Sequence, residues 1–158
     1  MRQFKNEALK KEEVEKIIEA GIAAPTAHNY NPEQIYVIQS QSALEKLKQC
    51  TPCSYGTQTA FLVAYDKTKS WKRDFDGADS GEIDASIVAT HMMLEATELG
   101  IGSTWVMWFD PQKVKEQFDL PDEIVPVVIL VAGYPAPEAT PTANHTTRRD
   151  KCEIVSML

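Results

Sequence analysis

From Ile83 to Leu99 the chain carries apolar side chains at Ile87, Val88, Met92, Met93, Leu94, Ala96 and Leu99, which cover most of a helical wheel. A helix that is apolar nearly all round belongs in an interior. The segment therefore predicts a central, buried helix that other elements must surround. Gly100 is a suitable C′ residue to end it. Asp84 and Ser86, near its start, are read as residues that cap and orient it. Two short, continuously apolar runs, Ala60 to Tyr65 (AFLVAY) and Val125 to Ala132 (VPVVILVA), read as buried strands.

The remaining elements alternate around these three. Val14, Ile17 and Ile18 stand at helical spacing between Lys10 and Gly21, with Lys and Glu on the other face, and Pro25 stops any continuation. Gln34 to Gln39 (QIYVIQ) is strand-like. Gln41 to Gln49 is a short helix with Leu44 and Leu47 inward. Ser103 to Trp108 reads as extended, and Asp110-Pro111 opens another helix with Asp as N-cap and Pro in the first turn. Asp66 to Gly81 is a long polar loop carrying Trp71 and Phe75. Loops of this length in a compact domain are often functional. After Tyr134-Pro135 the chain turns Pro-, Thr- and Ala-rich, a tail with few core residues that needs a surface to lie on. There are no internal repeats and no domain boundary, so residues 1–158 read as one domain of the α/β or α+β class.

The formal net charge of −7 argues against a nucleic-acid surface, which needs a basic patch, and favours small-molecule chemistry. No apolar run approaches the roughly 20 residues of a membrane span. Three cysteines and a polar, charged beginning suggest a reducing cytoplasm rather than a disulfide framework.

Two short motifs invite chemistry. Ala24-Pro25-Thr26-Ala27-His28-Asn29-Tyr30-Asn31-Pro32 packs a hydroxyl and two amides between two prolines, an ordered polar loop able to face a flat polar ligand. Its Thr and Asn are also ordinary turn residues. Cys50-Thr51-Pro52-Cys53 has the spacing of a redox or zinc half-site. It follows a helix rather than opening one, so the helix N-terminus that would lower a thiol pKa is missing. No further zinc ligands stand at suitable spacing. Trp71 is a candidate for substrate contact, whereas Trp105 and Trp108 read as core or interface aromatics. His28 reads as polar surface, and His91 and His145 receive no role.

Five segments, in order, resemble the FMN-dependent nitroreductase family: Met1-Arg2-Gln3-Phe4; Pro25 to Pro32, against the family pattern Ala-Pro-Ser-x-x-Asn-x-Gln-Pro; Asp84-Ala85-Ser86; Leu99 to Trp105 (LGIGSTW); and Gly133-Tyr134-Pro135 with Arg148 downstream. The resemblance implies an α+β, three-layer α/β/α domain with a mixed, mostly antiparallel sheet. It implies a homodimer with FMN at the interface and a C-terminal tail reaching the partner subunit. On the matching positions, Pro25, Thr26, Ala27 and Asn29 would line FMN from the neighbouring subunit. Gly102 and Ser103 would bring backbone N–H groups to the flavin ring. Arg148, or Arg149 in its place, would hold the phosphate, and Arg2 the anionic pyrimidine end of the reduced ring. The chemistry of the residues agrees, because phosphate needs charge-assisted donors and Arg offers a planar fork of them.

The implied reaction is ping-pong transfer of hydride from NADH or NADPH through the flavin to a nitroaromatic, quinone or similar acceptor. Other chemistries stand beside it: a non-catalytic flavin-binding dimer, a flavin-fragmenting or dehalogenating relative, or a thiol-redox protein using Cys50 and Cys53. The chain begins at about the fifth position of the family's opening Arg-Arg-Ser-x-Arg run. An upstream start or a weakened phosphate site follows from that. Asn31 stands where the family often has Gln, and Glu33 replaces an aromatic.

Overall fold

A computed structural model describes residues 1–158. The chain runs through α1 (Lys11–Ile22), β1 (Glu33–Ile38), α2 (Gln41–Cys50), β2 (Thr59–Asp66), α3 (Gly81–Glu98), β3 (Gly102–Val106), α4 (Pro111–Phe118), β4 (Ile124–Gly133) and α5 (Lys151–Ile154). The elements read from hydrophobic periodicity are all present, with ends displaced by a residue or two. Asp110 caps α4 as its sequence suggests, accepting the N–H groups of Gln112 and Lys113 at 3.0 and 3.1 Å ahead of Pro111.

The four strands form one sheet in the order β1-β2-β4-β3. All three pairings are antiparallel, so within this chain the sheet has no parallel member. Every residue of β2 is buried, and so are nine of the ten in β4, as continuous apolar runs require when both faces are covered. One face packs on α1 and α3 through Ile17, Phe61, Val63, Val88, Met92 and Leu130. The other packs on α2 and α4 through Ile38, Leu47, Leu62, Val114 and Ile129. This is the three-layer α+β arrangement expected.

α3 departs from expectation in an instructive way. It is central, but only one side is buried, through Asp84, Ala85, Val88, Ala89, Met92 and Ala96. Ile83 and Leu94 are about two-thirds exposed, as is Met107, which shares a groove with Ile83. A groove of about 470 Å³ runs along this outer face, lined by Ile83, Ser86, Ile87, Thr90 and His91 with Met107 and Val127. The apolar circumference read from sequence is real, and this chain covers only half of it. Trp108, expected in a core or interface, is exposed, while Trp105 packs against the core beneath α3.

The first five residues lie across the far end of the sheet. Lys5 donates its N–H to Tyr134 O at 2.8 Å, and Ala136 donates to Gln3 O at 3.1 Å. Phe4 lies on Gly133, where a Cβ would stand 3.1 Å from the ring. After Pro137 the tail is almost wholly exposed and ends in the uncovered apolar residues Ile154, Val155, Met157 and Leu158. No helix is long and apolar enough to cross a membrane.

Candidate functional site

Most of the residues singled out by sequence gather in two places, one at each end of α3.

At the start of α3 lies the Pro25–Pro32 loop. Ala27–Asn29 forms a single 3₁₀ turn. His28, Asn29 and Asn31 all have left-handed backbones, with φ of 53°, 55° and 48°. Such conformations cost a non-glycine residue about 1 kcal/mol or more, and they persist only where neighbours enforce them. Here the Thr26 hydroxyl oxygen accepts the Asn31 N–H at 3.1 Å, and the Asp84 carboxylate accepts the Ala27 N–H at 2.9 Å. Asp84 is therefore no helix cap; it is a buried anchor for the loop. Ser86 does not cap the helix either, since its hydroxyl donates back to Glu82 O. The first backbone N–H of α3, on Gly81, goes instead to Asp79 Oδ1 at 2.9 Å.

Trp71 joins this group. Its ring stacks on His28 with centroids 5.0 Å apart and planes 27° apart, and Tyr30 lies 5.7 Å from His28. The segment after Trp71 is a tight hairpin, closed by Lys72–Asp79 and Arg73–Asp76 ion pairs of 2.6 Å. Phe75 stands fully exposed at its tip. Sequence reading left His28 as surface; its partner lies 43 positions away, and no local signal could have named it. Glu33, where the family often has an aromatic, keeps one buried carboxylate oxygen without a hydrogen bond.

At the other end of α3 a cavity of about 360 Å³ is lined by Met1, Arg2, Met93, Ser103, Thr104, Trp105, Thr140, Pro141, Thr142 and His145. It holds one guanidinium, one imidazole, four hydroxyls and an apolar floor of Met93 and Trp105. No carboxylate lines it. The Arg2 guanidinium lies 5.8 Å from the Tyr55 ring centroid. The N-terminal amine donates to Ser103 O at 3.2 Å, and burial together with the Arg2 charge lowers its pKa. Thr104 donates its hydroxyl to Met1 O. Gly102 is indeed a place of close approach, but its open side is covered by Met1 of the same chain, whose Cγ would lie 2.6 Å from a Cβ.

The two tail arginines are engaged elsewhere. Arg148 donates to the carbonyls of His145 and Thr147 at 2.9 and 2.8 Å, and Arg149 pairs with Glu153 at 3.0 Å. Neither lines the cavity, whereas His145, given no role from sequence, does. The Cys50 thiol is buried, which pushes its pKa up and makes it a poor nucleophile, and it donates to Lys46 O.

Arg2 and Ser103 thus share a cavity, while Pro25, Thr26, Ala27, Asn29 and Trp71 do not reach it. α3 has 18 residues, about 27 Å at 1.5 Å per residue, and it separates the groups. β4 gives the same separation independently. Ile124, at its start, pairs with Asp66 beside the Trp71 loop, and Gly133, at its end, pairs with Gly102.

Comparison with known proteins agrees with this geometry. The model of the nitroreductase family matches residues 1–54 and 45–134, most of the chain. The chain belongs to the nitroreductase family. A solved nitroreductase family protein from Clostridium difficile 630 is 40% identical and superposes with a TM-score of 0.91, covering 98% of this chain and 90% of that one. An FMN-dependent nitroreductase from Clostridium difficile R20291, 23% identical, shares the fold at a TM-score of 0.80 over 99% of this chain and 92% of its own. A curated NADPH-dependent oxidoreductase of Staphylococcus aureus (strain USA300) is 26% identical over 91% of this chain, which spans 64% of that relative's length.

Proposed function

We propose that the chain is one subunit of a homodimeric, FMN-dependent oxidoreductase that takes electrons from NADPH or NADH and passes them to a nitroaromatic, quinone or similar flat acceptor. One observation carries this proposal: the two groups of site residues lie at opposite ends of α3. Alone, each is half a site. An antiparallel second copy, packed on the uncovered apolar side of α3, would bring the Thr26–Asn29 loop of one subunit to the Arg2–Ser103 cavity of the other. The outer groove, with Ile83, Ile87, Met107 and Val127, and the exposed Leu94 on α3 are the apolar surface such a copy needs. The exposed apolar end of the tail is suited to the same partner.

The residues of the cavity fit FMN in kind. Met93 and Trp105 would offer an apolar surface to a flat ring, Ser103 a polar group, and Arg2 a cation for its negative charge with no competing carboxylate. When bound, the flavin supplies hydride acceptance and release. The chain supplies binding, orientation and a cation beside the developing negative charge. Ser103 and the left-handed Asn29 offer hydrogen bonds from opposite subunits. Three unpaired cysteines suit a reducing compartment such as the cytoplasm.

Hybrid dimers test the shared site. Arg2→Ala and Asn29→Ala chains are each expected to lose flavin-dependent NADPH oxidation. Mixing them restores one intact site per hybrid dimer if the halves come from different subunits. Failure of the mixture to recover activity, with both variants shown to exchange subunits, would sink the shared-site reading. A wild-type protein that holds FMN but never bleaches it under NADPH or NADH would sink the reductase.

A further inference from the structure

Asp84 joins three separated stretches of chain through one buried carboxylate, 2% exposed. One oxygen accepts the Ala27 N–H at 2.9 Å; the other accepts the Ser80 hydroxyl at 2.7 Å. Ser80 in turn donates its N–H to Trp71 O at 2.9 Å and accepts the Asp84 N–H at 2.8 Å. The loop bearing Thr26 and Asn29 and the hairpin bearing Trp71 are thereby locked to the first turn of α3 and to each other. No cation pairs with Asp84; its charge is met by hydrogen-bond donors and by the positive end of the helix. Three left-handed residues in four positions are what this lock enforces, and their result is the His28–Trp71 stack.

That stack is not core packing. His28 is exposed, Tyr30 is 54% exposed, and Trp71 is partly open. The two basic residues of the adjoining hairpin are paired, Lys72 with Asp79 and Arg73 with Asp76. A ligand meeting this surface finds ring faces. That selects a flat, uncharged aromatic by stacking.

We propose that Asp84 is a positioning residue which holds the His28–Trp71 pair as a shelf for the ring of a flat, neutral aromatic electron acceptor. The shelf adjoins Thr26 and Asn29, so this inference rests on the shared-site reading for its access to the flavin. Recognition is by stacking, and removing either ring weakens it.

The test uses the full chain, FMN-loaded, with menadione as flat acceptor and ferricyanide as an acceptor without a ring. His28→Ala and Trp71→Leu are expected to raise the menadione KM roughly fivefold or more, the loss of one stacking contact, and to raise the ferricyanide KM much less. Asp84→Ala is expected to speed hydrogen exchange at the Ala27 amide by at least about tenfold and to raise the menadione KM likewise. Asp84→Asn keeps an acceptor for Ala27 and a polar partner for the Ser80 hydroxyl, and should rescue both. Equal KM changes for the two acceptors, or unchanged Ala27 exchange in Asp84→Ala, would overturn the proposal. Should Asp84→Ala fail to fold, Ser80→Ala, which removes one bond of the lock, gives the same two readouts. Should the wild type not turn over, the reductase reading fails by itself. Ala27 exchange and the calorimetric affinity for menadione in wild type against Trp71→Leu then still decide the lock and the shelf.

Discussion

The two ends of α3 are built by different means. At its start, side chains do the work: a buried carboxylate, two hydroxyls and a ring stack fix a loop whose backbone is otherwise unfavourable. At its end, backbone meets backbone. Met1 to Lys5 bonds to Ser103, Tyr134 and Ala136, and two glycines let the chains come close. The first end is complete within one chain. The second leaves Arg2 in a cavity with no carboxylate, and the tail arginines bonded to the tail itself. A flavin brought between them in a dimer would find its rigid wall on one subunit and its charge on the other.

Glycine substitutions probe this contrast most strongly. A Cβ at Gly81 would run into the buried ring of Tyr65, so Gly81→Ala should cost about 2–3 kcal/mol through forced repacking. A Cβ at Gly102 meets the root of the Met1 side chain at the chain end, so Gly102→Ala should displace Met1 and cost less, about 1–2 kcal/mol. Urea midpoints of the two variants measure the order, and its reversal would break the comparison.

Next in size is the charge at the second end. Arg2→Ala should weaken FMN binding by about tenfold or more, the loss of a charge-assisted contact. Arg148→Ala should weaken it less, because that guanidinium already serves two carbonyls of its own tail. Fluorescence titration with FMN ranks the two. The opposite rank would return the phosphate to Arg148, as the family pattern implies.

A smaller effect separates the ends by pH. The Thr68 hydroxyl and N–H, followed by Lys69, hold the Asp66 carboxyl below its ordinary value of 3.8 at the base of the Trp71 loop. A lowered folded pKa contributes stability that is present above the ordinary value and is lost as pH falls through the folded one. Thr68→Val removes the first donor. Its stability should fall at about pH 7 to 8, where the contribution is fully present, and the gap to wild type should close as pH drops through the folded value; urea midpoints compared at about pH 7 and about pH 3 read the change.

The smallest expected effect is none. Cys53→Ser should leave NADPH oxidation unchanged, and iodoacetamide should label exposed Cys152 before buried Cys50. Loss of turnover in Cys53→Ser would revive a thiol mechanism.

Much of this architecture was legible in the sequence because its signals are local. Continuous apolar runs gave β2 and β4, and the Asp110-Pro111 pair gave the start of α4. The all-round apolar character of α3 was legible too, but not that half of it lies uncovered, since one chain's sequence does not separate contacts with itself from contacts with a second copy. What was not legible shares one cause, which is distance along the chain. Asp84 resembles a cap until Ala27, 57 positions away, is seen to need its oxygen. His28 is polar surface until Trp71 lies on it.

α3 also acts as a ruler. One inserted residue would turn everything beyond it by about 100° and carry the Gly102 region away from the face it now shares with Met93. A whole extra turn would restore the phase but lengthen the span by about 5 Å, so that two copies aligned at one pair of half-sites would overshoot at the other. The hairpin between Lys72 and Asp79 has no such constraint, because both its ends are pinned at one place. If two copies pair as proposed, length variation belongs in the hairpin, and the count of residues from Gly81 to Glu98 should be the least negotiable dimension of the molecule.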